Sequence, residues 1–95
     1  MNASLGIAGI PWFSEDDYAE ARRIMADASY LPMNFQAWLR GAETAERDFR
    51  EQGHHPIRIV IVPSDFAQWC RKRRLPLDAT ARRQFARYVL AESQE

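Results

Sequence analysis

The sequence has one cysteine, four dispersed glycines and no long hydrophobic run. A single cysteine excludes an intramolecular disulfide framework. No apolar stretch approaches the roughly 20 residues that cross a bilayer, so we predict no membrane partner. Neither a Gly-x-Gly-x-x-Gly pattern nor a Gly-Lys-Ser/Thr loop occurs, and no metal-ligand spacing is present. The sequence therefore predicts no cofactor and no metal site.

The chain has 95 residues, of which 46% are hydrophobic and 12% aromatic. This composition excludes wholesale disorder, and the length fits one domain spanning residues 1–95, with residues 1–8 as a candidate disordered lead. A secretory signal needs basic residues before its apolar stretch, and none stands there. We therefore expect a cytoplasmic protein in which Cys70 is reduced.

The apolar spacing predicts four helices. The clearest one follows Asn34, carries Phe35, Trp38 and Ala45 on one stripe, and ends at Gly53, a natural left-handed cap. Short polar side chains before each helix can accept hydrogen bonds from its first turn. The predicted N-caps are Ser14, Asn34, Ser64 or Asp65, and Asp78.

Residues 57–62 predict the main strand, since five of these six residues are β-branched and apolar. The five are Ile57, Ile59, Val60, Ile61 and Val62. The fold class is therefore α+β, with about four helices packed on one main strand.

A lone strand leaves backbone groups unpaired, so this strand needs a neighbour. One candidate is residues 5–10, although Gly6 and Gly9 give that segment few side chains for cross-strand packing. The other is the same strand of a second copy, paired antiparallel across a two-fold axis. We favour the second arrangement and predict a homodimer.

The charges are unevenly distributed. Residues 1–56 hold five arginines and nine acidic residues, a net charge of −4, whereas residues 71–95 hold seven basic and three acidic residues, a net charge of +4. The basic residues form a candidate surface for a nucleic acid or an acidic partner. The net charge of zero argues against nucleic acid without excluding it. The surface comprises Arg71, Lys72, Arg73, Arg74, Arg82, Arg83 and Arg87.

Three further side chains could serve a small ligand or an enzyme: His54, His55 and Cys70. No base is placed beside Cys70 by spacing, so a catalytic role is not the favoured interpretation. Trp12 and Phe13 lie outside the predicted helices and are candidates for an exposed apolar patch at a protein interface.

Three segments carry a resemblance: Gly9-Ile10-Pro11-Trp12-Phe13, Trp38-Leu39 and the run from Pro63 to Cys70. In these segments the chain resembles a family of small uncharacterised bacterial single-domain proteins with no assigned activity. The likeness covers most of residues 9–90 and leaves out residues 2–8. It implies a bacterial cytosolic domain and no activity or substrate. From the strand that needs a neighbour, and not from the resemblance, we expect a non-enzymatic, homo-oligomeric protein-interaction module.

Overall fold

The computed structural model describes residues 6–93. Its helices number four, with two strands and one 3-10 turn, so the α+β class is confirmed. In chain order the elements are β1 (Gly6–Trp12), α1 (Tyr18–Ile24), the 3-10 turn (Ala28–Tyr30), α2 (Phe35–Glu51), β2 (His54–Val60), α3 (Pro63–Arg73) and α4 (Ala79–Ser93). Among the described residues, no helix combines the length and the apolar content that crossing a bilayer requires.

Three of the predicted helix signals are confirmed. The Asn34 Oδ1 atom accepts a hydrogen bond from the Ala37 N–H at 2.9 Å, which caps α2. The Asp78 Oδ1 atom accepts from the Ala81 N–H at 2.9 Å and caps α4 in the same way. Gly53 ends the α2 region with a φ of 99°, the left-handed conformation expected of it.

Two helices begin elsewhere than predicted. The Ser14 Oγ atom accepts from the Asp17 N–H at 3.3 Å, but this bond closes a turn, and α1 begins only at Tyr18. Helix α3 begins at Pro63 after a Val62 N-cap, so neither of the next two residues caps it. A proline is favoured there because the first helical N–H needs no partner within the helix.

The sheet has two strands where the sequence predicted one. β1 pairs with β2 in parallel, with Gly6 opposite His54 and Trp12 opposite Val60. The neighbour of β2 is thus the segment that we considered and did not favour, and an antiparallel pairing across a dimer is not shown. Residues 6–8 of the expected lead belong to β1, and residues 1–5 lie outside the described residues.

Gly9 explains why a glycine-containing segment serves as a strand. A Cβ atom at this position would lie 3.1 Å from the Ala86 carbonyl oxygen and 3.3 Å from the Leu90 Cβ atom. The missing side chain is therefore what allows α4 to pack closely on β1. The missing side chain of Gly9 weakened the prediction of a strand, yet the packing of α4 on β1 requires it.

The two long helices lie on opposite faces of the sheet. The side chains of two residues that are paired across the strands point to the same face of the sheet, and this face alternates from one residue to the next along each strand. Trp12 stacks edge-on against Trp38 of α2 with ring centroids 5.2 Å apart. Gly9 lies an odd number of residues before Trp12, so it faces the opposite side of the sheet, where it approaches α4. The connection through α1 and α2 has the length that a parallel pair requires.

The main core lies beside the carboxyl ends of the strands, where α1, α3 and α4 meet. Trp12 and Phe13 are only 6% and 3% exposed, so the prediction of an exposed patch at these two residues is wrong. Phe13 packs against Tyr18 and Trp38 instead. The buried cluster consists of Phe13, Tyr18, Ala21, Met25, Ile61, Phe66, Cys70, Ala81 and Phe85.

Candidate groove along the edge of β1

A groove of about 760 Å³ runs along the edge of β1 that faces away from β2. Residues 7–12 form its floor, α2 forms one wall and α4 forms the other. Concave apolar sites with a few charged groups are where proteins most often bind ligands and partner segments. This groove is the candidate functional site.

The floor of the groove presents backbone groups. The Ile61 N–H donates to the Trp12 carbonyl at 2.8 Å, so Trp12 directs its backbone groups toward β2. Because these directions alternate along a strand, Ile7, Gly9 and Pro11 direct theirs away from β2. Pro11 has no N–H and is tolerated in such an outward position. The sheet ladder thus leaves the N–H and C=O groups of Ile7 and Gly9 at the groove.

The α2 wall is apolar and incompletely covered. Helix α2 has a strongly amphipathic sequence, yet none of its 17 residues is buried. Trp38 and Phe49 flank the groove, with Ala42 and Ala45 between them. Phe49 also stacks edge-on against the His54 ring, with centroids 5.4 Å apart. The two alanines leave space for side chains that enter the groove.

An ion pair holds this wall on the sheet. The Arg58 guanidinium donates two hydrogen bonds to the Glu46 carboxylate, at 2.7 and 2.9 Å. It also lies over the Trp12 ring at 3.9 Å from the centroid. These hydrogen bonds lower the pKa of the Glu46 carboxyl. Bidentate pairs of this kind fix geometry, so Arg58 orients α2 relative to β1 and β2.

The α4 wall is basic. Arg83 and Arg87 are both exposed and line the groove, as does the half-buried Leu90. Arg83 donates to the Thr80 hydroxyl at 3.2 Å. Within residues 6–93, neither arginine forms an ion pair with an acidic side chain. Two cations one helical turn apart therefore face the groove without an acidic partner among the described residues.

Arg82 has a different environment from its neighbours. It is 7% exposed, and its guanidinium donates to both carboxylate oxygens of Asp27, at 2.9 and 2.8 Å. A third hydrogen bond, at 3.3 Å, reaches the Met25 sulfur atom. The bonds from Arg82 hold the pKa of the Asp27 carboxyl below its ordinary value. Arg82 therefore joins α4 to the segment after α1.

The structure divides the predicted basic surface. Arg71, Lys72 and Arg73 occupy the last turn of α3, and Arg74 is its left-handed C-cap. The Arg73 guanidinium lies over the Trp69 ring at 4.3 Å and the Tyr88 ring at 5.1 Å. Tyr88 is five residues from Arg83, or about 140° around α4. The groove thus receives Arg83 and Arg87, whereas Arg73 packs on the other side of that helix.

The histidines and the cysteine are not brought together. His54 lines the groove, His55 is exposed at the next position of β2, and Cys70 is fully buried in the core. Burial raises the pKa of the Cys70 thiol, which disfavours the nucleophilic thiolate. Over residues 6–93, no cluster of three or more His, Cys, Asp or Glu side chains could hold a metal ion.

Sequence reasoning missed the groove because it considered residues 5–10 as a strand but favoured pairing with a second copy. The signal that could have found it is the alternation of Gly9 and Pro11 with apolar residues, which places both on one side of a strand. Searches of family models, curated proteins and solved structures gave no match to this chain.

Proposed function

We propose that the protein is an interaction module that binds an extended segment of a partner protein as a third strand beside β1. The observation that supports this most directly is the outward-facing edge of β1 at the floor of an apolar groove. Strand addition uses such edges: backbone hydrogen bonds supply affinity, and pockets for alternate side chains supply specificity.

The dimensions of the groove fit a short segment. Residues 7–12 span about 17 Å at the usual strand rise, which suits a segment of five to seven residues. Ile7 and Gly9 offer two N–H and two C=O groups, and Pro11 offers one more C=O. Each backbone hydrogen bond contributes about 1 kcal/mol net, and ordering the segment offsets part of the gain. We expect affinities in the micromolar range.

The incompletely covered face of α2 supports the same function. Its apolar residues are the ones that a helix normally buries against its own domain. Here Ala45 is exposed and Ala42, Trp38 and Phe49 are only half-buried. A bound segment would cover this face and remove its apolar surface from water.

The test blocks the groove without altering the strand. Ala45→Trp places a large ring in the groove, and Thr44→Trp adds the same ring to α2 about 100° away, off the groove. Heptapeptides selected on the wild-type protein from a random library are measured by fluorescence anisotropy. We expect Ala45→Trp to weaken binding at least tenfold and Thr44→Trp to leave it unchanged. Methylation of alternate peptide amides should also abolish binding.

Two results would contradict the proposal. One is a selection that yields no binding peptide. The other is a set of peptides that bind Ala45→Trp as well as Thr44→Trp, or that tolerate amide methylation. Circular dichroism and thermal unfolding of both variants establish that each remains folded.

The homodimer predicted from sequence is a second candidate, and exposed valines favour it. Val60, the last residue of β2, is 50% exposed, and Val62, the N-cap of α3, is 42% exposed. The outer edge of β2 is the edge that does not pair with β1. We propose that this outer edge pairs antiparallel with the same edge of a second copy. Light scattering should then give twice the 11.0 kDa chain mass, and Val60→Lys should give the mass of one chain. A wild-type monomer at high micromolar concentration would contradict it.

A further inference from the structure

We infer that the segment bound beside β1 carries acidic side chains that alternate with apolar ones. The inference rests on the proposed function, because it names the class of partner that the groove selects. Its basis is the difference between the two walls: one is apolar, and the other carries two arginines that have no acidic partner within the described residues 6–93.

The alternation follows from the geometry of a strand. Side chains of an added strand point to the same side as the β1 residues that they face. Beside Ile10 and Ala8 they point toward α2, because Trp12 on that side meets Trp38. Beside Gly9 they point toward α4, because Gly9 approaches Leu90. Every second side chain of the segment therefore meets a different wall.

The spacing of the arginines matches the spacing of a strand. Arg83 and Arg87 are four residues apart on α4, or about 6 Å along the helix axis. Two strand residues on the same side are about 6.6 Å apart. Helix α4 lines the groove from Ala79 to Ala91, about 18 Å, close to the 17 Å of the floor. Two acidic residues separated by one apolar residue would each meet one arginine.

Two other arginines near the groove already form ion pairs with acidic side chains. Arg58 is paired with Glu46, and Arg82 is paired with Asp27. Among the described arginines that line the groove, Arg83 and Arg87 are the two without an acidic partner, so they can select a charge on the bound segment. Charge complementarity of this kind contributes mainly to specificity and to the rate of association.

Three capped, fluorescein-labelled heptapeptides test the inference. Each has valine at alternate positions, and the positions between are all Glu, all Gln or all Lys. We expect the Glu peptide to bind about 4- to 25-fold more tightly than the Gln peptide, at about two- to fivefold per arginine, and the Lys peptide to bind most weakly. The preference should disappear at 0.5 M salt, where screening shortens to about 4 Å.

Paired variants locate the effect. Arg83→Gln/Arg87→Gln should bind the Glu and Gln peptides equally, with the affinity of the wild type for the Gln peptide. Arg71→Gln/Lys72→Gln removes the same charge from exposed positions of α3 and should keep the full preference. Because all four side chains are exposed, we expect each variant to fold.

Three other results would overturn the acidic partner, strand addition or both. Equal binding of Glu and Gln peptides by the wild type, with loss in Ala45→Trp, overturns the acidic partner and leaves strand addition standing. Absence of binding by all three peptides contradicts strand addition as well. If labelled oligothymidylate binds more tightly than the Glu peptide and needs Arg83 and Arg87, the arginines serve a nucleic acid and the inference is overturned.

Discussion

Replacing Arg82 of α4 with methionine should destabilise the protein strongly, although arginines on helices are usually exposed. The substitution keeps most of the apolar stem and removes the guanidinium that bonds to Asp27. The two side chains are 8% and 19% exposed, so the pair is screened little by water. Removing one member of a buried pair costs about 3–5 kcal/mol. Asp27 retains hydrogen bonds from backbone N–H groups and some contact with water, so we expect about 3 kcal/mol.

Urea unfolding followed by tryptophan fluorescence measures this loss. Arg82→Met should lower the midpoint without changing the slope, and the midpoint of thermal unfolding should fall by about 15 °C. In a double-mutant cycle with Asp27→Asn, the two losses should overlap by about 1–3 kcal/mol. A loss below about 0.5 kcal/mol for Arg82→Met would refute the reasoning, since it would mean that the pair does not hold α4 in place.

The pH dependence of the stability provides an independent test of the pair between Arg82 and Asp27. The pKa of the Asp27 carboxyl is lower in the folded protein than the ordinary value of 3.8. Its contribution to stability is therefore complete above that value and is lost as the pH falls through the lowered pKa. The difference in stability between wild type and Arg82→Met should be constant at neutral pH and should shrink below about pH 4. A difference that grows on acidification would contradict this assignment.

Three further changes test the packing. Gly41→Ala should stabilise the protein by about 0.5–1 kcal/mol, because a Cβ atom there meets open space. Gly9→Val should destabilise the protein by about 1–3 kcal/mol, because the new side chain pushes α4 away from β1. Urea unfolding should therefore show changes of opposite sign in the free energy of unfolding, and changes of the same sign would contradict the packing. Asn34→Ala removes the cap of α2 and should cost about 1 kcal/mol by the same assay, and a cost near zero would contradict the cap. Cys70 should react with a thiol reagent only at the rate of unfolding, and rapid labelling of the native protein would contradict its burial.

The helices could be predicted from sequence because their signals are local. The caps at Asn34 and Asp78 depend on one side chain and the next three backbone groups, and Gly53 depends on its own φ. Periodicity likewise gave the apolar face of α2. These elements required no knowledge of distant parts of the chain.

The main strand was predicted, but its pairing with β1 was not favoured because that pairing depends on contacts between residues far apart in the sequence. Gly9 suits β1 only because α4, almost 80 residues later, packs against it. Arg82, next to Arg83 in sequence, is buried because Asp27 lies beside it in space. Charge counting placed both arginines on one surface, whereas in the structure Arg82 is buried against Asp27 and Arg83 is exposed at the groove.

The location of the candidate site follows from the same packing. Helices α2 and α4 lie on opposite faces of a sheet that has two strands within the described part of the chain, so both extend beside the edge of β1. The groove is thus a consequence of a narrow sheet between two long helices. It leaves Trp38 and Phe49 only half-buried among residues 6–93.

Amide hydrogen exchange at single residues of β1, read by NMR, tests the central claim most directly. In the free protein the N–H groups of Ile7 and Gly9 should exchange fast, and those of Ile10 and Trp12, which point to β2, should be protected. Saturation with the alternating valine and glutamate peptide should slow exchange at Ile7 and Gly9 by at least tenfold. If both amides are already protected in the free protein, or stay unprotected when the peptide is bound, β1 does not accept a strand at this edge.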